Sequence, residues 1–135
     1  MAETKQQTIT LELPTEPLWV RVDPPKITLA ISNLMNNAVK FTPGGGRMVA
    51  RAFLKGGEVW IQVQDNGIGL PASELERIFD EFYQVASHMT RRHGGIGMGL
   101  SNARGLVNVH NGRVWAESAG DNLGSTFTIA LPLAN

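Results

Sequence analysis

Three short stretches hold residue types that do chemistry rather than fill space. In "NLMNNAVKFT" (33–42), Asn33, Asn37 and Lys40 recur at i, i+4 and i+7. On a helix with 3.6 residues per turn that spacing puts two amides and an ammonium on one side. Asn lowers helix propensity, so the row calls for a reason. A solvated face is one reading. The other is a shelf for a metal and phosphates: an amide oxygen suits Mg²⁺, which takes few protein ligands beside phosphates and waters. A lysine one turn on meets a phosphate as a point charge. In "QDNGIGLP" (64–71), Asp65 precedes Gly67, Ile68 and Gly69. Asp-Asn-Gly is an ordinary turn sequence. A carboxylate beside backbone without side chains can also accept a hydrogen bond from a flat ligand edge.

The third stretch, "HGGIGMGL" (93–100), places four glycines within residues 94–99. Glycine loses the most freedom on ordering, so such a run implies either a turn or a close approach to bare backbone. The dinucleotide fingerprint fails, because Gly95 and Gly97 are followed by Leu100 where a third glycine is required, and no strand leads in. The phosphate-binding P-loop fails as well, since no Gly-Lys-Ser/Thr occurs. What remains is a segment with Arg91, Arg92 and His93 running into a helix N-terminus, where free amides and the helix dipole attract anions. Residues 85–97 have no periodicity and read as a loop, a candidate lid over phosphates.

The elements that must position these residues follow from pattern. "TITLEL" (8–13) alternates Ile9, Leu11 and Leu13 with polar residues and predicts a half-buried strand; "LWVRV" (18–22) predicts another. Asp23 before Pro24 and Pro25 is a helix start, and "TPGGG" (42–46) stops that helix near Phe41. Ile27, Ile31, Leu34 and Ala38 form its apolar stripe, offset by roughly 120° from the polar row. "RMVARAFLK" (47–55) and "EVWIQVQ" (58–64), joined by Gly56 and Gly57, predict a hairpin. Ser73 and Glu76 stand at capping-box spacing and open a short helix through Phe79. Leu100, Ala103, Leu106 and Val107 share one face of a further helix, before strands at 113–118 and 125–131. Without strict βαβ alternation the class is α+β, with helices on one face of a largely antiparallel sheet.

Composition sets limits on function. At 135 residues the chain is one domain's length. Twelve basic side chains balance twelve acidic ones, so no net charge draws it to nucleic acid or an anionic membrane. Cysteine is absent, which removes disulfides and thiolate metal sites and fits a reducing compartment. No apolar run approaches the roughly 18 residues of a membrane span, and the polar start "MAETKQQ" is no signal peptide. A cytoplasmic domain without direct membrane contact is expected.

Taken in order, the stretches resemble the boxes of the ATP-binding catalytic domain of sensor histidine kinases, in the superfamily shared with Hsp90-type chaperones, MutL and type II topoisomerases. The N box matches as Asn33, Asn37, Lys40 and Phe41, and the first glycine box as Asp65, Gly67 and Gly69. The F box matches as Phe79, Phe82 and Tyr83, and the second glycine box as Gly95, Gly97, Gly99 and Leu100. "GSTFTIALP" (124–132) resembles the closing segment. The five blocks run from about residue 23 to 133, and the F box favours the histidine-kinase branch.

The resemblance implies a two-layer α/β sandwich with the nucleotide between helices and lid. It implies that Asp65 accepts from the adenine amine, supported by Ser125 or Thr126 through water, and that Asn37, helped by Asn33, holds Mg²⁺ on the phosphates. Lys40 would contact phosphate, and Asn37 and Lys40 would be the catalytic pair. Phe41 and Tyr83 would border the nucleotide. Ile68, Met98 and Leu100 accompany the glycines Gly67, Gly69, Gly95, Gly97 and Gly99 that let backbone approach it. The implied reaction is transfer of the ATP γ-phosphate to a histidine on a dimerisation domain, for onward signalling to a response regulator.

Two departures stand out: Asn102 sits where the family usually has an aliphatic residue, and "HNG" (110–112) replaces the common His-Gly-Gly. His88 and His93 lie in the lid segment and His110 on the buried side of its helix, so none reads as the phosphoacceptor. The chain is expected to be the catalytic part, monomeric in isolation, of a longer kinase. The rival readings are an autonomous ATPase or chaperone of the same superfamily and a non-catalytic interaction module.

Overall fold

The computed structural model describes residues 8–14, 17–42, 46–69, 75, 77–79, 98–119 and 124–134. Strand β1 (Thr8–Glu12) is followed by helix α1 (Pro24–Phe41), the hairpin β2 (Arg47–Lys55) and β3 (Glu58–Asp65), helix α2 (Met98–Asn108), β4 (Arg113–Ser118) and β5 (Ser125–Pro132). A 3₁₀ turn occupies Arg77–Phe79, the described end of the expected 73–79 helix; Ser73 and Glu76 lie outside the described residues. The five strands form one sheet in the order β1-β2-β3-β5-β4. β1 pairs with β2 in parallel and every other pair is antiparallel. No helix among the described residues is long and apolar enough to cross a membrane.

α1 begins where the sequence places it. Asp23 is the N-cap, its carboxylate accepting from the Lys26 N–H at 3.5 Å, with Pro at the first helical positions. The apolar stripe is buried, with Leu34 and Ala38 fully enclosed and Ala30 and Val39 widening it. Burying a side chain such as Leu34 contributes about 1.5–3 kcal/mol. Leu100, Ala103 and Val107 of α2 join the same core, together with Met48, Val63, Phe79, Phe127, Ile129 and Leu131. The hairpin turn uses Gly56 and Gly57 at φ 59° and 78°, the left-handed values a tight two-residue hairpin turn requires.

Two strand expectations need correction. Residues 18–22 form no strand. Val20 and Val22 do pack against the core while Trp19 and Arg21 are exposed, so the alternation is real. The segment lacks a ladder: its described backbone bond runs from Ala134 N to Trp19 O, and Pro24 and Pro25 follow. β1 does form, but it is not half-buried. Its apolar side is open, with Leu11 63% exposed, because α1 lies over β3 rather than over this edge.

The "HNG" departure has a physical reason. Asn111 sits at φ 63°, a left-handed position that asparagine tolerates better than most residues. Gly112 cannot be replaced so freely, since a Cβ there would lie 2.6 Å from the Ala130 carbonyl oxygen.

Candidate functional site

Strand register brings the second and fifth boxes together. Asp65 and Ser125 are direct partners across β3 and β5, at the ends of both strands. Alternation places them on the helix-facing side, beside Val63 and Phe127. Asp65 is buried, 6% exposed. Oδ2 accepts from the Ser125 hydroxyl at 3.0 Å and Oδ1 from the Gly67 N–H at 2.9 Å. A carboxylate has roughly four acceptor positions, so capacity remains for a donor from outside. Burial pushes the Asp65 carboxyl above its ordinary value, while the bonds from Gly67 and Ser125 pull it back in part.

Backbone is pressed close against the Asp65 main chain. Gly69 and Gly124 take φ values of 71° and 78°. The Gly124 N–H donates to the Gly67 carbonyl at 3.1 Å, closing the two turns on each other. A Cβ on Gly124 would fall inside the Asp65 carbonyl oxygen. Asn66 ties the turn to the start of β2, its Oδ1 accepting from the Arg47 N–H at 2.7 Å. Gly124 and Asn66 were missed as site residues. The signal for Gly124 was a glycine between a turn and a strand, immediately before Ser125.

Asn33 and Asn37 are half-buried on α1, off the stripe made by Ile27, Ala30, Leu34 and Ala38. Lys40 and Phe41 end α1, and Met98 and Gly99 open α2. Ile68 is half-buried in the 67–69 turn, and Leu100 is part of the core. Thr126 pairs with Gln64 and so turns to the opposite sheet face from Asp65. A groove of about 340 Å³ opens at the strand ends, lined by Asp65, Ser125, Gln64, Thr126, Glu117, Ser118, Ala119 and Gly124. It reaches Asp65 but not Asn33 or Asn37. Tyr83, Gly95, Gly97 and the 85–97 segment lie outside the described residues.

The donor set fits a nucleotide with its magnesium. Asp65 offers an anionic acceptor with capacity to spare, which suits an exocyclic amine. Among the described residues, no group of three or more His, Cys, Asp or Glu could cage a metal. The half-exposed amides of Asn33 and Asn37 instead offer the one or two oxygens that Mg²⁺ needs when phosphates and water supply the rest.

A helical layer thus covers one face of a mixed sheet whose central strand ends in a buried carboxylate. Residues 22–135 match the family described as "Histidine kinase-, DNA gyrase B-, and HSP90-like ATPase", and the chain belongs to that family. It is 38% identical over 133 residues to the sensor histidine kinase WalK of Bacillus subtilis (strain 168), covering 96% of this chain and 22% of that protein. It is also 38% identical over 130 residues to the sensor protein kinase WalK of Staphylococcus saprophyticus, covering 95% and 21%. The chain thus spans about a fifth of the length of these curated relatives. Among solved structures, the nucleotide-free catalytic domain of histidine kinase ThkA superposes with a TM-score of 0.81 at 26% identity, covering 97% of this chain and 83% of that one. Full-length ShkA in complex with AMPPNP gives 0.83 at 27% identity, covering 99% and 27%.

Proposed function

We propose that this chain is the ATP-binding catalytic domain of a sensor histidine kinase, acting as one domain over residues 1–135 and supplying ATP and Mg²⁺ to a phosphoacceptor histidine on the dimerisation domain of the same kinase. The observation that carries this reading is Asp65: a buried carboxylate at the end of the central strand, braced by Ser125 and Gly67, with acceptor capacity left for an outside donor. Support comes also from the family match and from the kinase names of the relatives.

Asp65 accepts from the adenine amine and so orients the base. Asn37, with Asn33 a turn before it, holds Mg²⁺, and Lys40 meets phosphate. As the family resemblance implies, Ile68, Met98 and the glycines 95, 97 and 99 would leave room for the nucleotide, and Phe41 and Tyr83 would border it. Mg²⁺ would neutralise phosphate charge as it develops. In the transfer, the bond from the bridging oxygen to the γ-phosphorus breaks, a phosphorus–nitrogen bond to the acceptor imidazole forms, and ADP leaves. Catalysis by this chain is positioning and charge stabilisation.

Both ring nitrogens of His110 are engaged within the domain, which supports an acceptor histidine elsewhere. The domain is monomeric, lies on the cytoplasmic side, and reaches a response regulator only through the phosphorylated histidine. Titrating the purified chain with AMPPNP, with and without Mg²⁺, tests the reading. One site that tightens with Mg²⁺ and slow phosphate release from ATP are expected. No nucleotide binding overturns it, and rapid phosphate release by the chain alone marks an autonomous ATPase instead.

A further inference from the structure

α1 and α2 pack against each other on the sheet, and an imidazole ties them at one end. His110 Nδ1 lies 2.7 Å from the Leu106 carbonyl oxygen, and Nε2 accepts from the Asp23 N–H at 3.0 Å. A carbonyl only accepts and an amide N–H only donates. Nδ1 is therefore the donor and Nε2 the acceptor, and both nitrogens are used.

This bond completes the donor accounting at the start of α1. The opening N–H groups of a helix have no partner within it. Here Pro24 and Pro25 have no N–H, the Lys26 N–H meets the Asp23 carboxylate, and the Ile27 N–H meets the Asp23 carbonyl at 3.1 Å. The Asp23 N–H is left, and His110 accepts it. On the other side, Leu106 belongs to the last turn of α2, where carbonyls have no partner within the helix. The ring thus joins two helix ends that would otherwise both need water.

His110 is itself held firmly. Past α2 the chain turns through Asn111, the Gly112 N–H returns to the Val107 carbonyl at 3.0 Å, and Gly112 packs directly on the backbone of Ala130 in β5. The tie lies where α1 begins and α2 ends, so the packed helices run antiparallel. Asn33 and Asn37 stand about 15 and 21 Å further along α1, toward the start of α2. A tilt of α1 at Asp23 is carried along a rigid helix to the amides.

We propose that His110 is a positioning residue for the magnesium-phosphate end of the bound nucleotide. It clamps the start of α1 to the last turn of α2, which sets the pose of Asn33 and Asn37 against the helix that opens at Met98. The proposal rests on the functional reading above. His110 does not touch the nucleotide, and Asp65, which sits on the sheet, does not depend on the clamp.

The test compares His110→Gln, His110→Asn and His110→Ala by titration with AMPPNP, with and without Mg²⁺, alongside thermal melts. Gln carries an N–H for Leu106 and an oxygen long enough for Asp23. Asn keeps an N–H for Leu106 but is too short to reach Asp23. Affinity in the presence of Mg²⁺ should fall about tenfold in the Asn and Ala variants and stay within about threefold in Gln. Affinity without Mg²⁺ should hold within about twofold in all three. A fall of the same factor with and without Mg²⁺, in step with lost stability, overturns the proposal, as does wild-type affinity in the Asn variant. Failure of the wild-type chain to bind AMPPNP would instead remove the functional reading itself.

Discussion

Ser125 donates its hydroxyl to Asp65 Oδ2 at 3.0 Å, and the two residues face each other as register partners at the ends of β5 and β3. The sheet ladder itself therefore fixes the carboxylate, and no long side chain has to be ordered when a ligand arrives. That is the preorganisation a small anionic acceptor needs.

Asp65→Asn separates binding from folding. The amide keeps an oxygen for the Gly67 N–H, and the Ser125 hydroxyl can rotate to accept, so the fold should survive. The charged acceptor is lost, and hydrogen bonds to charged groups contribute about 1.5–3 kcal/mol, roughly ten- to a hundredfold in affinity. The pH dependence has a definite sign. Burial raises the carboxyl above its unfolded value, so between the two values the folded state binds more protons. The Asp65 contribution is full below the unfolded value and is lost as pH rises through the raised one. The Asn variant should therefore lose this fall in stability and be no less stable than wild type near pH 7. Calorimetry with ADP and melts from pH 3 to pH 8 check both halves. Unchanged ADP affinity removes Asp65 from the base site.

Asn37→Ala should abolish the magnesium-dependent part of ATP affinity, and Asn36→Ala should leave it unchanged. Asn36 is one residue away but rotated about 100° around α1, and it is exposed where Asn37 is half-buried. Titrations with and without Mg²⁺ read the difference. Equal effects would mean that the metal-facing side of α1 is assigned wrongly.

How much of this was legible in the sequence depended on the range of the interaction. Local codes read well: Asp23 with two prolines set the start of α1, Gly56-Gly57 set the hairpin, and the Leu34/Ala38 stripe set the buried face. Codes that need a partner elsewhere in the chain read poorly. Residues 18–22 alternate like a strand, yet pairing depends on a free ladder edge that no local pattern encodes. β1 has an apolar face that α1 does not cover, and coverage is a property of helix placement. Asp65 and Ser125 were both legible as types. Their direct bond, the Gly124 wall and the His110 clamp join residues about 60, 59 and 87 apart.

Gly124→Ala should be far more damaging than Gly56→Ala, although both glycines have positive φ. At Gly56 a Cβ meets nothing within 4 Å, so the change costs only the left-handed strain of about 1–2 kcal/mol. At Gly124 the Cβ collides with the Asp65 carbonyl, and a further overpacking cost of about 1–3 kcal/mol is expected. The displaced backbone carries Asp65 with it. Urea denaturation should show a much lower midpoint for the Gly124 variant, with ADP binding lost even where the domain is folded. A Gly124 variant as stable as the Gly56 variant would mean that the two turns do not close on each other in solution.

Trp60→Ala should weaken the fold without touching the site. Trp60 stands on the sheet face away from the helices, in a cross-strand cluster with Phe53 at 5.9 Å and Trp115 at 4.9 Å between ring centroids. Lys55 caps it at 4.4 Å, and Arg113 lies 4.9 Å over Trp115 while bonding Glu58 at 2.6 Å. Aromatic pairs and cation–π contacts each contribute about 0.5–1.5 kcal/mol beyond buried area, so the truncation should cost about 2–3 kcal/mol. Asp65 alternates to the opposite face of the same strand, so ADP affinity of the folded variant should match wild type. Urea melts and calorimetry on one preparation measure both. A Trp60 variant that keeps its stability but loses ADP would place a binding determinant on the open face of the sheet and move the site away from Asp65.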